Sequence, residues 1–163
     1  MKRLLILLFP VILISACSKK NDVCNYNACD VLAPPSEVTQ LEAYLSTASI
    51  TAIKHCSGMY YSIDAAGSGA TPTICSTISV KYKAQLTNGN IVDQAASPAS
   101  FQLGGLIESW KKAIPLIKTG GKIIIYAPPR LAYGSEDVKD ASGNVVIPGN
   151  SILIFEVELV GVS

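Results

Sequence analysis

The feature that most restricts the fold is a strict alternation over residues 78–86. Ile78, Val80, Tyr82, Ala84 and Leu86 alternate with Ser79, Lys81, Lys83 and Gln85. Successive side chains of a strand point to opposite faces, so this pattern requires a strand with one dry and one wet face. Asn88-Gly89 follows at once, and that dipeptide favours a tight turn between antiparallel strands. The chain is predicted to return over 90–93 and, after a loop, to continue the sheet over 100–103. The dry face needs cover, and residues 106–114 hold the one helical pattern in this half. Trp110 and Ile114 stand four apart, Ile107 shares their face, Lys111 and Lys112 are expected to point away, and Pro115 marks the end.

Further strands are predicted over 59–64, over 122–127 before Pro128-Pro129, and over 151–162. Residues 65–73 read as a Gly/Ala/Ser/Pro loop, Thr119-Gly120-Gly121 as a turn, and 130–149 as a long loop. Upstream, Val38, Leu41 and Leu45 fall at helical spacing, with Ser36 expected as N-cap and Glu37 in the first turn. This helix is expected to pack on the domain or stand as a spacer, without chemistry of its own. Hairpin turns without β-α-β alternation give an α+β fold, an antiparallel β-sheet packed on one short helix.

The N-terminus reads as an export signal. Lys2 and Arg3 precede an apolar run over 4–16, which is shorter than the roughly 20 residues of a membrane span. The run ends in Ile14-Ser15-Ala16-Cys17, which resembles a bacterial lipobox and implies cleavage before Cys17 and lipid on that cysteine. The expected organisation is a signal over 1–16, a lipidated tether over 17–35, an N-terminal helical segment over 36–55 and a folded domain over 56–163. The expected place is the bacterial cell envelope, lipid-anchored to the membrane, with the outer membrane preferred. Lys and Arg number 13 against 12 Asp and Glu. That balance leaves no basic patch, so nucleic acid is not an expected partner.

Of the five cysteines, Cys17 is assigned to lipid, leaving Cys24, Cys29, Cys56 and Cys75. Four cysteines in an exported chain suggest disulfides and permit three connectivities. Cys24–Cys29 and Cys56–Cys75 are preferred, the first closing a local loop and the second stapling the ends of one hairpin region. A metal site is not expected, because the only histidine is His55 and no C-x-x-C occurs. His55 reads as a surface residue. There is no G-x-S-x-G elbow, H-E-x-x-H helix or phosphate-cradling glycine loop. An enzyme of this sequence is expected to work without nucleophile, metal or cofactor.

Four aromatic residues, Tyr82, Trp110, Tyr133 and Phe155, gather around the single helix in any sheet-on-helix arrangement. A resemblance gives them a role. Val80-Lys81-Tyr82-Lys83-Ala84, Leu86-Thr87-Asn88-Gly89 and Val92-Asp93 are similar to V-x-Y-x-G, a glycine hairpin and F-D. Phe101-Gln102-Leu103, Leu106-Ile107 and Trp110 resemble F-x-L…V-I-x-G-W. Gly120-Gly121-Lys122 and Pro128-Pro129-Arg130-Leu131-Ala132-Tyr133-Gly134 resemble G-x-K…P-P-x-L-A-Y-G. Ile147-Pro148 and the seven residues from Leu153 to Leu159 resemble I-P…L-x-F-x-V-E-L. In this order, over about 56–162, the blocks resemble the FKBP-type peptidyl-prolyl cis-trans isomerases, including exported lipoprotein forms.

The resemblance implies a sheet curled around one helix and a shallow apolar pocket. Trp110 would be the floor under a proline ring, with Tyr82, Val92, Leu106, Ile107, Ile147 and Phe155 as walls. The Ile107 backbone N–H and the Tyr133 hydroxyl would donate to peptide carbonyls, and Asp93 would be a polar wall group. Expected partners are proline-containing polypeptides, macrolide ligands, and a membrane through the anchor. The sequence departs from the family pattern at Val92 and Ala99, where aromatics are usual, and at Ala84 and Ser109, where glycine is usual. Loss of two aromatic walls is expected to loosen the pocket. A non-catalytic peptide-binding or chaperone module of the same family is therefore the alternative to an isomerase, and an adhesive surface lipoprotein is a third.

Overall fold

The computed structural model describes residues 24–163. The expected signal, Cys17 and the first part of the tether lie outside the described residues. In chain order the elements are α1 (Pro35–Thr47), β1 (Ile53–Lys54), β2 (Tyr60–Ala65), β3 (Thr77–Leu86), β4 (Ile91–Gln102), α2 (Glu108–Ala113), β5 (Lys122–Ala127), β6 (Val138–Lys139), β7 (Val145–Ile147) and β8 (Leu153–Val162). Six strands form one sheet in the order β1-β2-β5-β8-β3-β4, with every neighbouring pair antiparallel. The expected α+β architecture is present.

Alternation decides which side of the sheet each residue serves. Ile78, Val80 and Ala84 of β3, Ile123 and Ile125 of β5, and Phe155, Val157 and Leu159 of β8 are buried with Trp110 and Ala113 of α2. Residues of the opposite parity, Tyr126 and Ile154, pack against Leu41 and Leu45 of α1. The two helices thus cover opposite faces of the sheet. Burying one such aliphatic side chain contributes about 1.5–3 kcal/mol, so α1 packs on the sheet as part of the fold. Strand β1, which follows it, pairs with β2.

Several local expectations are corrected. Helix α1 begins at Pro35, and its N-cap is Pro34, without a side-chain cap bond. Ser36 already lies inside the first turn. Proline needs no N–H there and its fixed φ suits that turn, so the N-cap lies two residues earlier than expected. Glu37 lies in the first turn as expected, and its side chain accepts the Arg130 backbone N–H at 2.7 Å. The loop expected between 93 and 100 is absent, because β4 runs unbroken over twelve residues. Val80 pairs with Ala99 and Tyr82 with Ala95, so the residues between Ala95 and Ala99 oppose Lys81 alone as a bulge. Strand β4 is an edge, where Pro98 leaves no ladder bond unmade. The region 130–149, read as loop, contains the β6–β7 hairpin.

The turn after β3 is tight, as Asn88-Gly89 foretells. Leu86 N–H donates to the Asn90 carbonyl at 2.9 Å and Gly89 N–H to the Leu86 carbonyl at 3.0 Å. Gly89 takes φ +86, which a side chain would resist.

The preferred disulfide pairing is overturned. Cys24 is bonded to Cys75 and Cys29 to Cys56. A Cys56–Cys75 staple presumed that β2 and β3 are hairpin neighbours, but β5 and β8 lie between them. The two cysteines are carried apart, and each meets a cysteine of the 24–33 segment, which crosses the domain as a strap.

Candidate active site

The helix that carries the site is six residues long. Ile107 is its N-cap, in extended conformation, and its carbonyl accepts the N–H groups of Trp110 and Lys111 at 3.1 and 3.2 Å. Its own N–H makes no hydrogen bond among the described residues. One turn on, Trp110 is 5% exposed. Three aromatic rings meet it edge-on, with centroids at 5.3 Å for Tyr82, 5.7 Å for Phe155 and 6.3 Å for Phe101. Edge-to-face contact of this kind favours rigid, well-defined ring positions.

Above the indole opens a cavity of 120 Å³ lined by Tyr82, Asp93, Phe101, Leu106, Ile107, Trp110, Tyr133 and Phe155. Seven of the sequence-predicted residues meet here. Val92 and Ile147 do not line it: Val92 is half-buried against the main core, and Ile147 is buried within it. Phe101 was assigned no site role from the sequence. It stands two positions after Ala99 on β4, hence on the same strand face, and this spacing is the signal that could have found it. Phe101 is the aromatic wall that β4 contributes, and Ala99 does not line the cavity.

The polar side of the cavity is a phenol–carboxylate pair. Tyr82 donates its hydroxyl to Asp93 Oδ2 at 2.6 Å. Burial pushes the Tyr82 phenol up to about 12, and the bond to Asp93 adds to the rise. Burial, then the Asp93 charge, also raises the Tyr133 phenol. Both phenols are therefore protonated donors at neutral pH. Tyr133 reaches the site from the turn after β5, where Gly134 takes φ +78 and donates its N–H to the Pro129 carbonyl at 2.8 Å.

Other candidates stand apart. The cysteines at 24, 29, 56 and 75 are all in disulfides, so none is a nucleophile. His55 is partly buried rather than on the surface, and its Nδ1 accepts the Ser57 N–H at 3.1 Å. Burial, then the Lys112 charge, lowers its pKa. No group of three or more His, Cys, Asp or Glu among the described residues could hold a metal ion. The expectation that Lys112 points away is corrected, because Lys112 is 2% exposed. Its amino group is taken up by Tyr26 and Glu108.

The short helix α2 on one face of an antiparallel sheet thus carries a cavity with an indole floor, aromatic walls and a polar rim. The sequence model of the FKBP-type peptidyl-prolyl cis-trans isomerases matches residues 69–160, and the chain belongs to that family. It is 40% identical over 108 residues to FkpA of Escherichia coli K12, covering 64% of this chain and 38% of that protein. It is 38% identical over 108 residues to the peptidyl-prolyl cis-trans isomerase Mip of Coxiella burnetii, covering 64% and 45%. The crystal structure of a peptidyl-prolyl cis-trans isomerase from Pseudomonas syringae superposes with TM-score 0.67 at 27% identity, covering 80% of this chain and 97% of that one. The chain spans less than half the length of the curated relatives it matches.

Proposed function

We propose that this protein is a peptidyl-prolyl cis-trans isomerase acting on Xaa-Pro bonds of exported proteins as they fold. The observation that carries the reading is the Trp110 floor walled by Tyr82, Phe101 and Phe155. Rotation about an Xaa-Pro bond is slow because amide resonance sets a barrier of about 18–20 kcal/mol. The twisted amide has lost much of that resonance and its carbonyl is less polar. A dry aromatic site therefore favours it over the planar amide relative to water. Ile107 N–H and the Tyr133 hydroxyl orient the flanking carbonyls, and Asp93 with Tyr82 forms the polar wall. Lowering the barrier by about 5 kcal/mol gives more than a thousandfold, since each 1.36 kcal/mol is about tenfold. No step moves a proton. A macrolide ring would compete for the same floor.

Export is supported by the leader-like N-terminus and by two disulfides, which persist in oxidising compartments. Lipid on Cys17 would hold the domain at a membrane of the cell envelope, with the outer membrane preferred. Two or more acyl chains suffice for a stable anchor.

Val92, where the family carries phenylalanine, favours the second reading, a peptide-binding or chaperone module without turnover. NMR exchange on short Xaa-Pro peptides separates the two, with the full chain in detergent and Tyr133→Phe and Asp93→Ala alongside. Faster exchange that falls in the variants supports the isomerase. Binding without faster exchange, across peptides of varied sequence, supports the module.

A further inference from the structure

Helix α2 has a second face. Lys112 lies on it with a side chain that is 0% exposed. An ammonium in that position is costly unless its donors are met. Lys112 Nζ donates to the Tyr26 hydroxyl oxygen at 2.8 Å and stands 3.2 Å from Glu108 Oε2. It also lies 5.0 Å from the centroid of the Tyr26 ring. Tyr26 in turn donates to Glu108 Oε2 at 2.6 Å. The three side chains close a triangle, and Tyr26 is its only member outside α2. The strap delivers it, fixed on one side by Cys24–Cys75 and on the other by Cys29–Cys56.

The helix needs such support. Six residues cannot hold a helix by themselves, since isolated helices shorter than about 12–15 residues are marginal in water. Ile107 contributes no side-chain cap bond. One face of α2 is seated by Trp110 in the core. The other is held by the triangle, which grips Glu108, the residue next to Ile107, and Lys112, two beyond Trp110.

We propose that Tyr26 is a positioning residue for proline isomerisation. By tying Glu108 and Lys112 to a covalently closed strap, it sets the seat of α2. The seat fixes both the Ile107 N–H and the Trp110 ring that a bound peptide meets. The inference rests on the isomerase reading above. It adds that part of the site's precision comes from a tyrosine that lines the cavity nowhere.

The test compares the full chain, Tyr26→Phe, and Tyr26→Phe/Lys112→Met, all with disulfides intact. The first variant keeps the ring and removes the hydroxyl, and the second also removes the buried charge. Three properties are measured well below each melting point: the NMR signals of the Ile107 amide and Trp110 indole, the affinity for an Xaa-Pro peptide, and kcat/KM. Tyr26→Phe is expected to shift both signals and lower kcat/KM about fivefold while folded. The double variant is expected to recover melting temperature without recovering kcat/KM. If Tyr26→Phe alone does not fold, the double variant carries the same comparison. Unmoved signals with kcat/KM within about twofold of the parent would overturn the proposal, as would a loss matching only the unfolded fraction. If the parent itself does not speed rotation, the isomerase reading falls. The brace is then decided by the two signals and the peptide affinity.

Discussion

Two tyrosines donate to carboxylates across 2.6 Å on the two faces of α2, Tyr82 to Asp93 and Tyr26 to Glu108. The bonds are alike in length and differ in company. Asp93 is exposed and sits at the rim of an aromatic cavity. Glu108 is partly buried and also receives Lys111 and Lys112 at 2.9 and 3.2 Å. Burial works against the Glu108 charge, yet the bonds from Lys111, Tyr26 and Lys112 outweigh it and hold the carboxyl down at about 2. The same bond type therefore lies at the rim of an aromatic cavity on one face, where we propose recognition, and within a charged triangle on the other, where we propose a structural lock. What separates them is whether a cation shares the carboxylate.

The lock face is expected to show the largest effect. Replacing all four disulfide cysteines by serine removes loops closed across 51 and 27 residues. Loop-closure entropy puts each bond at roughly 4 kcal/mol. Thermal unfolding with and without reductant should show a loss of several kcal/mol in the parent. A parent indifferent to reductant would mean that the strap does not hold the fold.

Next in size is the recognition face. Trp110→Ala is expected to cost about 3–5 kcal/mol through lost packing and to abolish measurable proline-peptide binding. Calorimetric titration of the folded fraction checks this. Unchanged affinity would place the peptide elsewhere and dissolve the division of labour between the two faces.

A smaller effect tests the lock through pH. The folded Glu108 carboxyl titrates at about 2, below the ordinary glutamate value of about 4.3. Its contribution is thus present above pH ~4.3 and is lost as pH falls toward ~2. Screening at a partly solvated site leaves about 1 kcal/mol. Denaturant unfolding at pH 6 and pH 3 should show this loss in the parent and not in Glu108→Gln. Equal slopes in the two proteins would mean that another carboxylate carries it.

The gathering of residues around the aromatic cavity was largely legible in the sequence, and the triangle on the other face of α2 was not. Strand β5 lies where it was read, β3 begins one residue early, and Trp110 and Ile114 share the buried side of the helical stretch. Those features follow from local periodicity, which records burial wherever the neighbours are near in sequence. Lys112 defeated the same logic because one of the two groups that receive it, Tyr26, is 86 residues away. A lysine on a helix reads as solvated until its distant acceptor is known. The disulfides failed for a related reason, since their pairing depends on β5 and β8 passing between β2 and β3. Phe101 escaped because the bulge near Pro98 hid the continuity of β4.

The smallest expected effect returns to the recognition pair. Tyr82→Phe removes the bond to Asp93, but Asp93 is exposed and turns to water instead. The stability cost should therefore sit at the low end for a hydrogen bond, about 0.5 kcal/mol. It should be full below pH ~10 and fade above it. The folded Tyr82 phenol ionises at about 12 against an ordinary value of about 10. Its contribution is thus complete below ~10 and disappears as pH rises to ~12. Catalysis should respond more than stability. Without the phenol, Asp93 no longer has a fixed direction beside the peptide amide, and kcat/KM is expected to fall severalfold with the melting temperature nearly unchanged. The reverse pattern, a large loss of stability with normal turnover, would make Tyr82–Asp93 a second lock and erase the contrast between the two faces of α2.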